Sequence, residues 1–112
     1  MAIPALAQPA GKERIHSAAF WRDVCTGQRS GIARPEQTTL CTTYLSSFHD
    51  ASDEYKEAGL RLFCPPEAMS LETMRHVFLT YLADFDESAE FLPAGRAVLQ
   101  SLMRAYPCTP AG

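Results

Sequence analysis

Ser70-Leu71-Glu72-Thr73-Met74-Arg75-His76-Val77-Phe78-Leu79-Thr80-Tyr81-Leu82 decides the fold class of this 112-residue chain. Leu71, Met74, Val77, Phe78, Tyr81 and Leu82 recur at three- and four-residue spacing, which gathers them on one face of a helix but scatters them over both faces of a strand. Ser70 predicts an N-cap for this helix. Glu72 puts a carboxylate in the first turn, where the helix dipole favours it. Upstream, Phe63-Cys64-Pro65-Pro66 reads as an extended segment, because proline fixes its own φ and pushes the preceding residue out of the helical region. Downstream, Asp84-Phe85-Asp86-Glu87 breaks the helix.

The same period continues on both sides. A last helix is predicted to begin between Glu87 and Pro93, with Pro93 in its first turn, where a missing amide costs nothing. Val98, Leu99, Leu102, Met103 and Tyr106 form its core face, and Pro107 stops it. Toward the N-terminus, Thr38 or Thr39 caps a helix that presents Leu40, Cys41, Tyr44, Leu45, Phe48, Ala51 and Tyr55 as one stripe and ends at Gly59. A first helix is expected from near Glu13 to Cys25, burying Ile15, Ala19, Trp21 and Val24, with Gly27 as its stop. Residues 26–37, with Gly27, Gly31 and Pro35, read as a loop. No strand period and no internal repeat is visible. The expected fold class is all-α: a small, disulfide-stapled bundle of about four helices.

Composition narrows the function classes. Apolar residues are 46% of the chain and charged residues 21%, which is globular rather than disordered composition. The net charge of −3, with Lys and Arg scattered, disfavours a nucleic-acid binder, which needs a basic face. No apolar run approaches the ~20 residues that span a bilayer. Met1-Ala2-Ile3-Pro4-Ala5-Leu6-Ala7-Gln8 reads as the tail of a secretory signal, with Ala5-Leu6-Ala7 as the small-residue cleavage site. Residues 1–12 are therefore expected to be a signal-peptide remnant and leader, 13–108 one helical domain, and 109–112 a tail.

Four cysteines, Cys25, Cys41, Cys64 and Cys108, each fall beside a predicted helix end. They permit three pairings. Cys25 ends the first helix and Cys41 opens the second, so these two are natural partners. If the third and fourth helices are antiparallel neighbours, the start of one lies beside the end of the other, and Cys64 meets Cys108. Two such bonds imply an oxidising compartment. Rival chemistries fit less well. The nearest cysteines are sixteen positions apart, whereas zinc sites take closely spaced pairs, and there is no C-x-x-C redox motif. A cysteine nucleophile would need a histidine, and the sequence alone leaves His16, His49 and His76 open to that role.

Other candidates carry weaker chemistry. His49 and Asp50 are adjacent, so on a helix their side chains diverge by about 100° and do not form a dyad. Asp84, Asp86, Glu87 and Glu90 make an acidic turn without the glycine and ligand pattern of a calcium loop. Phe20 and Trp21 are also adjacent. One of them should face away from the core, either as a contact anchor or as packing under the 26–37 loop. No catalytic constellation, cofactor site or metal site is expected.

The order of these motifs is informative. A first helix ending in cysteine is followed by Cys41-Thr42-Thr43-Tyr44-Leu45-Ser46-Ser47-Phe48-His49-Asp50-Ala51. Phe63-Cys64-Pro65-Pro66-Glu67, Ser70-Leu71-Glu72, Tyr81-Leu82 and Tyr106-Pro107-Cys108 complete the series. Over residues 14–108 this resembles the Rap/Tai family of type VI secretion amidase immunity proteins. It departs at Thr43 and Ser47, where members usually carry glycine. The resemblance implies an exported, periplasmic protein, often a homodimer, that binds a papain-like peptidoglycan amidase and occludes its active site without being an enzyme. Because loops on a rigid frame usually carry recognition, Arg29 and Arg34 on one loop and Asp84, Asp86, Glu87 and Glu90 on the other are the expected contact residues. The alternatives are a small disulfide-bonded periplasmic chaperone or acid-stress protein, which needs apolar surface released by protonation, and a small-ligand carrier, which needs a cavity.

Overall fold

A computed structural model describes residues 16–108. Among these residues the α-helices are α1 (Ala18–Cys25), α2 (Arg34–Glu57), α3 (Leu71–Ala83) and α4 (Ala94–Ala105), and a 3-10 turn at Asp86–Ser88 precedes α4. No strand forms among them, although Ser17 and Pro93 meet in an isolated antiparallel bridge. The fold is a small all-α bundle. None of its described helices is long and apolar enough to cross a membrane.

α3 is the central element. The Ser70 hydroxyl accepts from the Thr73 amide at 3.0 Å, satisfying one of the free donors of the first turn. Met74, Phe78 and Leu82 are fully buried along one face, with Val77 and Tyr81 half-buried beside them. Phe78 alone contributes about 1.5–3 kcal/mol of apolar burial. α4 follows Pro93, which takes the N-cap position rather than the first turn, and it buries Ala94, Ala97, Val98, Ser101 and Leu102. Met103, expected in its core face, is exposed.

α1 is shorter than its sequence suggests. It starts at Ala18, because Ser17 keeps an extended backbone, caps the Phe20 amide at 3.1 Å and pairs with Pro93. Glu13 and Ile15 lie outside the described residues, as do the leader and the tail. α1 and α2 run antiparallel, with Cys25 bonded to Cys41 and Trp21 stacked on Tyr44 about one turn along.

The N-terminus of α2 corrects the sequence reading. The helix begins at Arg34, four residues before Thr38, and the loop ends at residue 33. Pro35 sits in its first turn, where it supports the helix instead of blocking it. Thr38 and Thr39 cap nothing; each hydroxyl donates to a carbonyl four residues back, at Arg34 and Pro35. The buried face is also rotated from the expected stripe. Cys41 and Leu45 are buried as read, but Leu40, Ala51 and Tyr55 are exposed, while Gln37 and Ser52 take the inward positions. Of the 24 residues of α2 only these four are buried, so α2 depends for its attachment on one cross-link, Leu45 and the half-buried rings of Tyr44 and Phe48.

Cys25–Cys41 and Cys64–Cys108 are the two disulfides, with Cα–Cα separations of 5.1 and 5.0 Å. The first is part of the core, with both residues buried. The second lies at the rim, tying the segment before α3 to the residue after α4 beside a Cys64 N–H···O=C Tyr106 bond of 2.8 Å.

Candidate functional site

All four cysteines are bonded, which removes them as nucleophiles. His49 lies 3.6 Å from Asp53, one helical turn on, and not against Asp50. Among the described residues no group of three or more His, Cys, Asp or Glu side chains converges to hold a metal ion. The features that stand out are two ordered connections, one at each end of α1.

The α1–α2 connection is closed by a residue that sequence reading missed. Gln37 is only 2% exposed, and its amide makes three bonds: Oε1 accepts from the Arg29 amide at 3.0 Å, and Nε2 donates to the carbonyls of Arg29 at 2.9 Å and Ile32 at 2.6 Å. One side chain thus replaces the backbone ladder that so short a loop lacks. The Arg29 guanidinium lies over the Phe20 ring at 4.8 Å, and the Arg34 side chain passes beside Gly27, whose φ of +72° suits the sharp exit from α1. Both arginines are therefore engaged in shaping the loop. Gln37→Ala is expected to cost about 2–3 kcal/mol, the net worth of three bonds, read as a lower urea midpoint with an unchanged slope. An unchanged midpoint would show that water replaces the amide without loss.

Phe20 and Trp21 share the question of which one faces outward. Both are half-buried: Trp21 stacks on Tyr44 at 4.0 Å and Phe20 sits under Arg29, edge-on to Trp21. Burial pushes the Tyr44 phenol above its ordinary pKa, so the ring remains neutral in the stack.

The α3–α4 connection carries the acidic residues. Asp84 is the C-cap of α3, Asp86 opens the 3-10 turn, and Glu87 and Glu90 are exposed. Its return is fixed by α1, whose first two amides would otherwise lack partners. The Ala18 amide donates to Leu92 C=O at 2.8 Å and the Ala19 amide to Ala89 C=O at 3.0 Å, with Ala89 itself fully buried. Holding residues 89 and 92 inward turns Phe91 out, and it is 80% exposed, more than any other large apolar residue described. Phe85, 40% exposed, stands at the other end of the turn against Tyr81, ring centroids 4.7 Å apart. The connection is therefore an acidic turn whose return is pinned to α1, with an aromatic residue near each end.

The structure gathers Asp84, Asp86, Glu87 and Glu90 on this one turn; at the opposite end of α1 it puts Arg29 on the connection and Arg34 at the first position of α2 rather than in the loop. The chemistry available here is surface recognition: fixed aromatic area, surrounding carboxylates, and little backbone left to order on binding. Phe91 escaped the sequence reading because Phe91-Leu92 looks like any core dipeptide. Only the pairing of α1's amides with the turn decides which ring faces solvent.

The family model of the Rap1a immunity proteins matches residues 17–108, a span that takes in all four helices and both disulfides. No curated protein and no solved structure matches the chain.

Proposed function

The chain belongs to the Rap1a immunity protein family, an immunity protein against a secreted toxin, and on that premise we propose that its target is a papain-like peptidoglycan amidase delivered by type VI secretion. In this reading the protein works in the periplasm, after export by a cleaved signal peptide. It binds its cognate amidase without catalysis of its own, and occludes the active-site cleft. The two disulfides support an oxidising compartment, since such bonds persist mainly outside the cytosol. The reading includes a homodimer, as the family resemblance implies.

The observation that carries the recognition step is the exposed Phe91 on a turn held by α1's own amides. An aromatic ring on a rigid support fills a pocket at small entropic cost, and carboxylates around it speed encounter with a basic rim. Arg29, on the α1–α2 connection, and Arg34, which opens α2, belong to the proposed contact set at the other end of α1. The test is stoichiometric inhibition. The purified protein, added to the amidase encoded beside it, is expected to stop cleavage of isolated peptidoglycan at one equivalent and to form a nanomolar complex. Full cleavage in excess protein would remove the amidase from the proposal.

A further inference from the structure

We propose that Arg104, on the last turn of α4, is a positioning residue that sets the direction in which the leading end of the 84–92 turn presents Phe85. The inference rests on the reading that this turn meets the toxin. The return of the turn is fixed by buried backbone bonds to α1, as described above. Its leading end has no such anchor to α1. Beyond the backbone bonds that end α3, from the Asp84 amide to Tyr81 C=O at 3.1 Å and the Phe85 amide to Leu82 C=O at 2.9 Å, what holds it is a side-chain network: Arg104 Nη1 to Asp84 Oδ2 at 2.8 Å, the Arg104 guanidinium over the Tyr81 ring at 5.9 Å, the Tyr81 hydroxyl donating to Gln100 Oε1 at 2.7 Å, and Phe85 against Tyr81.

Two physical points separate positioning from simple stabilisation. First, Asp84 is the C-cap of α3, where the helix dipole disfavours a carboxylate, and α3 has no basic residue in its own last turn. Arg104 brings the missing positive charge from a neighbouring helix. Without it, Asp84 is repelled from the place where the turn begins. Second, the Arg104 and Asp84 side chains are 60% and 54% exposed, and exposed ion pairs add little to global stability. The network therefore has small leverage on the fold and large leverage on one local direction, that of Phe85 and the acidic residues beyond it. Arginine suits this task better than lysine, because its planar head can pair with Asp84 while lying over Tyr81.

The test uses the whole chain and does not depend on the toxin for its first arm. In Arg104→Ala, amide hydrogen exchange at Phe85 and Ser88, which bond Leu82 and Phe85 carbonyls in the turn, is expected to accelerate roughly tenfold. The Ala18 and Ala19 amides, which fix the return, are expected to keep their protection, and the melting temperature to move by no more than about 2 °C. Arg104→Lys should recover part of the protection by restoring the charge. In the second arm, binding to the amidase should weaken roughly tenfold in Arg104→Ala and in part recover in Arg104→Lys. Unchanged exchange at Phe85 and Ser88 overturns the proposal. So does acceleration spread equally over α1 with a lowered melting temperature, because that marks a general structural role. If Phe85 and Ser88 respond as expected but the wild-type protein binds no amidase, the ordering role stands and the toxin reading fails.

Discussion

Cys25→Ser with Cys41→Ser is expected to leave no cooperative thermal transition, while Cys64→Ser with Cys108→Ser keeps one, lowered by on the order of 20 °C. Loop closure alone gives the opposite order. The bond spanning 16 residues is worth about 3 kcal/mol and the bond spanning 44 about 4, in the chain-entropy model. Burial reverses this. Cys25 and Cys41 are 4% and 1% exposed, so two serine hydroxyls there replace sulfurs in an apolar core, each costing about 1–3 kcal/mol if unpaired. The sum, about 5–9 kcal/mol, equals the whole stability of a domain in the lower half of the usual ~5–15 kcal/mol range. At the rim, serine at 64 and 108 reaches water and adds no such penalty. α2 sharpens the difference. With four buried residues of 24, it is held to α1 chiefly by the Cys25–Cys41 bond and the Trp21–Tyr44 stack. Circular dichroism melts of both variants decide the order; a weaker loss from the buried pair would mean that the core relaxes around the hydroxyls.

The helices were legible because their signals are local. Ser70 with Glu72, the break at Asp84 and the glycine after Ala58 are read from neighbours in sequence, and the cysteine pairs follow from which helix ends are consecutive in the chain. Three things were not legible, each for a long-range reason. Pro35 and Thr38 both mark helix starts, and only the buried amide of Gln37, bonded to the loop, decides for the earlier one. Leu40-Cys41 and Ala51-Ser52 each offer two adjacent candidates for one inward position. The disulfide at Cys41 fixes the rotation, which sends Leu40 outward and carries Ser52, eleven residues on, inward. In the acidic turn, four carboxylates drew attention as charge, yet the direction of the aromatic residues among them depends on amides in α1 that are some seventy residues away in sequence. Recognition surfaces share this character: the residues are visible, their orientation is not.

Phe91→Ala is expected to weaken the complex with the amidase by about 30–100-fold, the 2–3 kcal/mol of an interface anchor, while the melting temperature stays within about 1 °C. The separation is possible because an 80% exposed ring supports little of the fold. Phe85→Ala, by contrast, removes a ring already partly spent on Tyr81 and should cost less binding and more stability. The carboxylates do a different job. Glu87→Gln with Glu90→Gln leaves Phe91 in place and removes two exposed charges, so association should slow and lose salt dependence, with dissociation nearly unchanged. Calorimetry for affinity and surface-based kinetics for rates distinguish the two contributions. If Phe91→Ala binds as tightly as the wild type while changes at Arg29 and Arg34 abolish binding, the toxin is held by the α1–α2 connection at the other end of α1, and the acidic turn only steers it there.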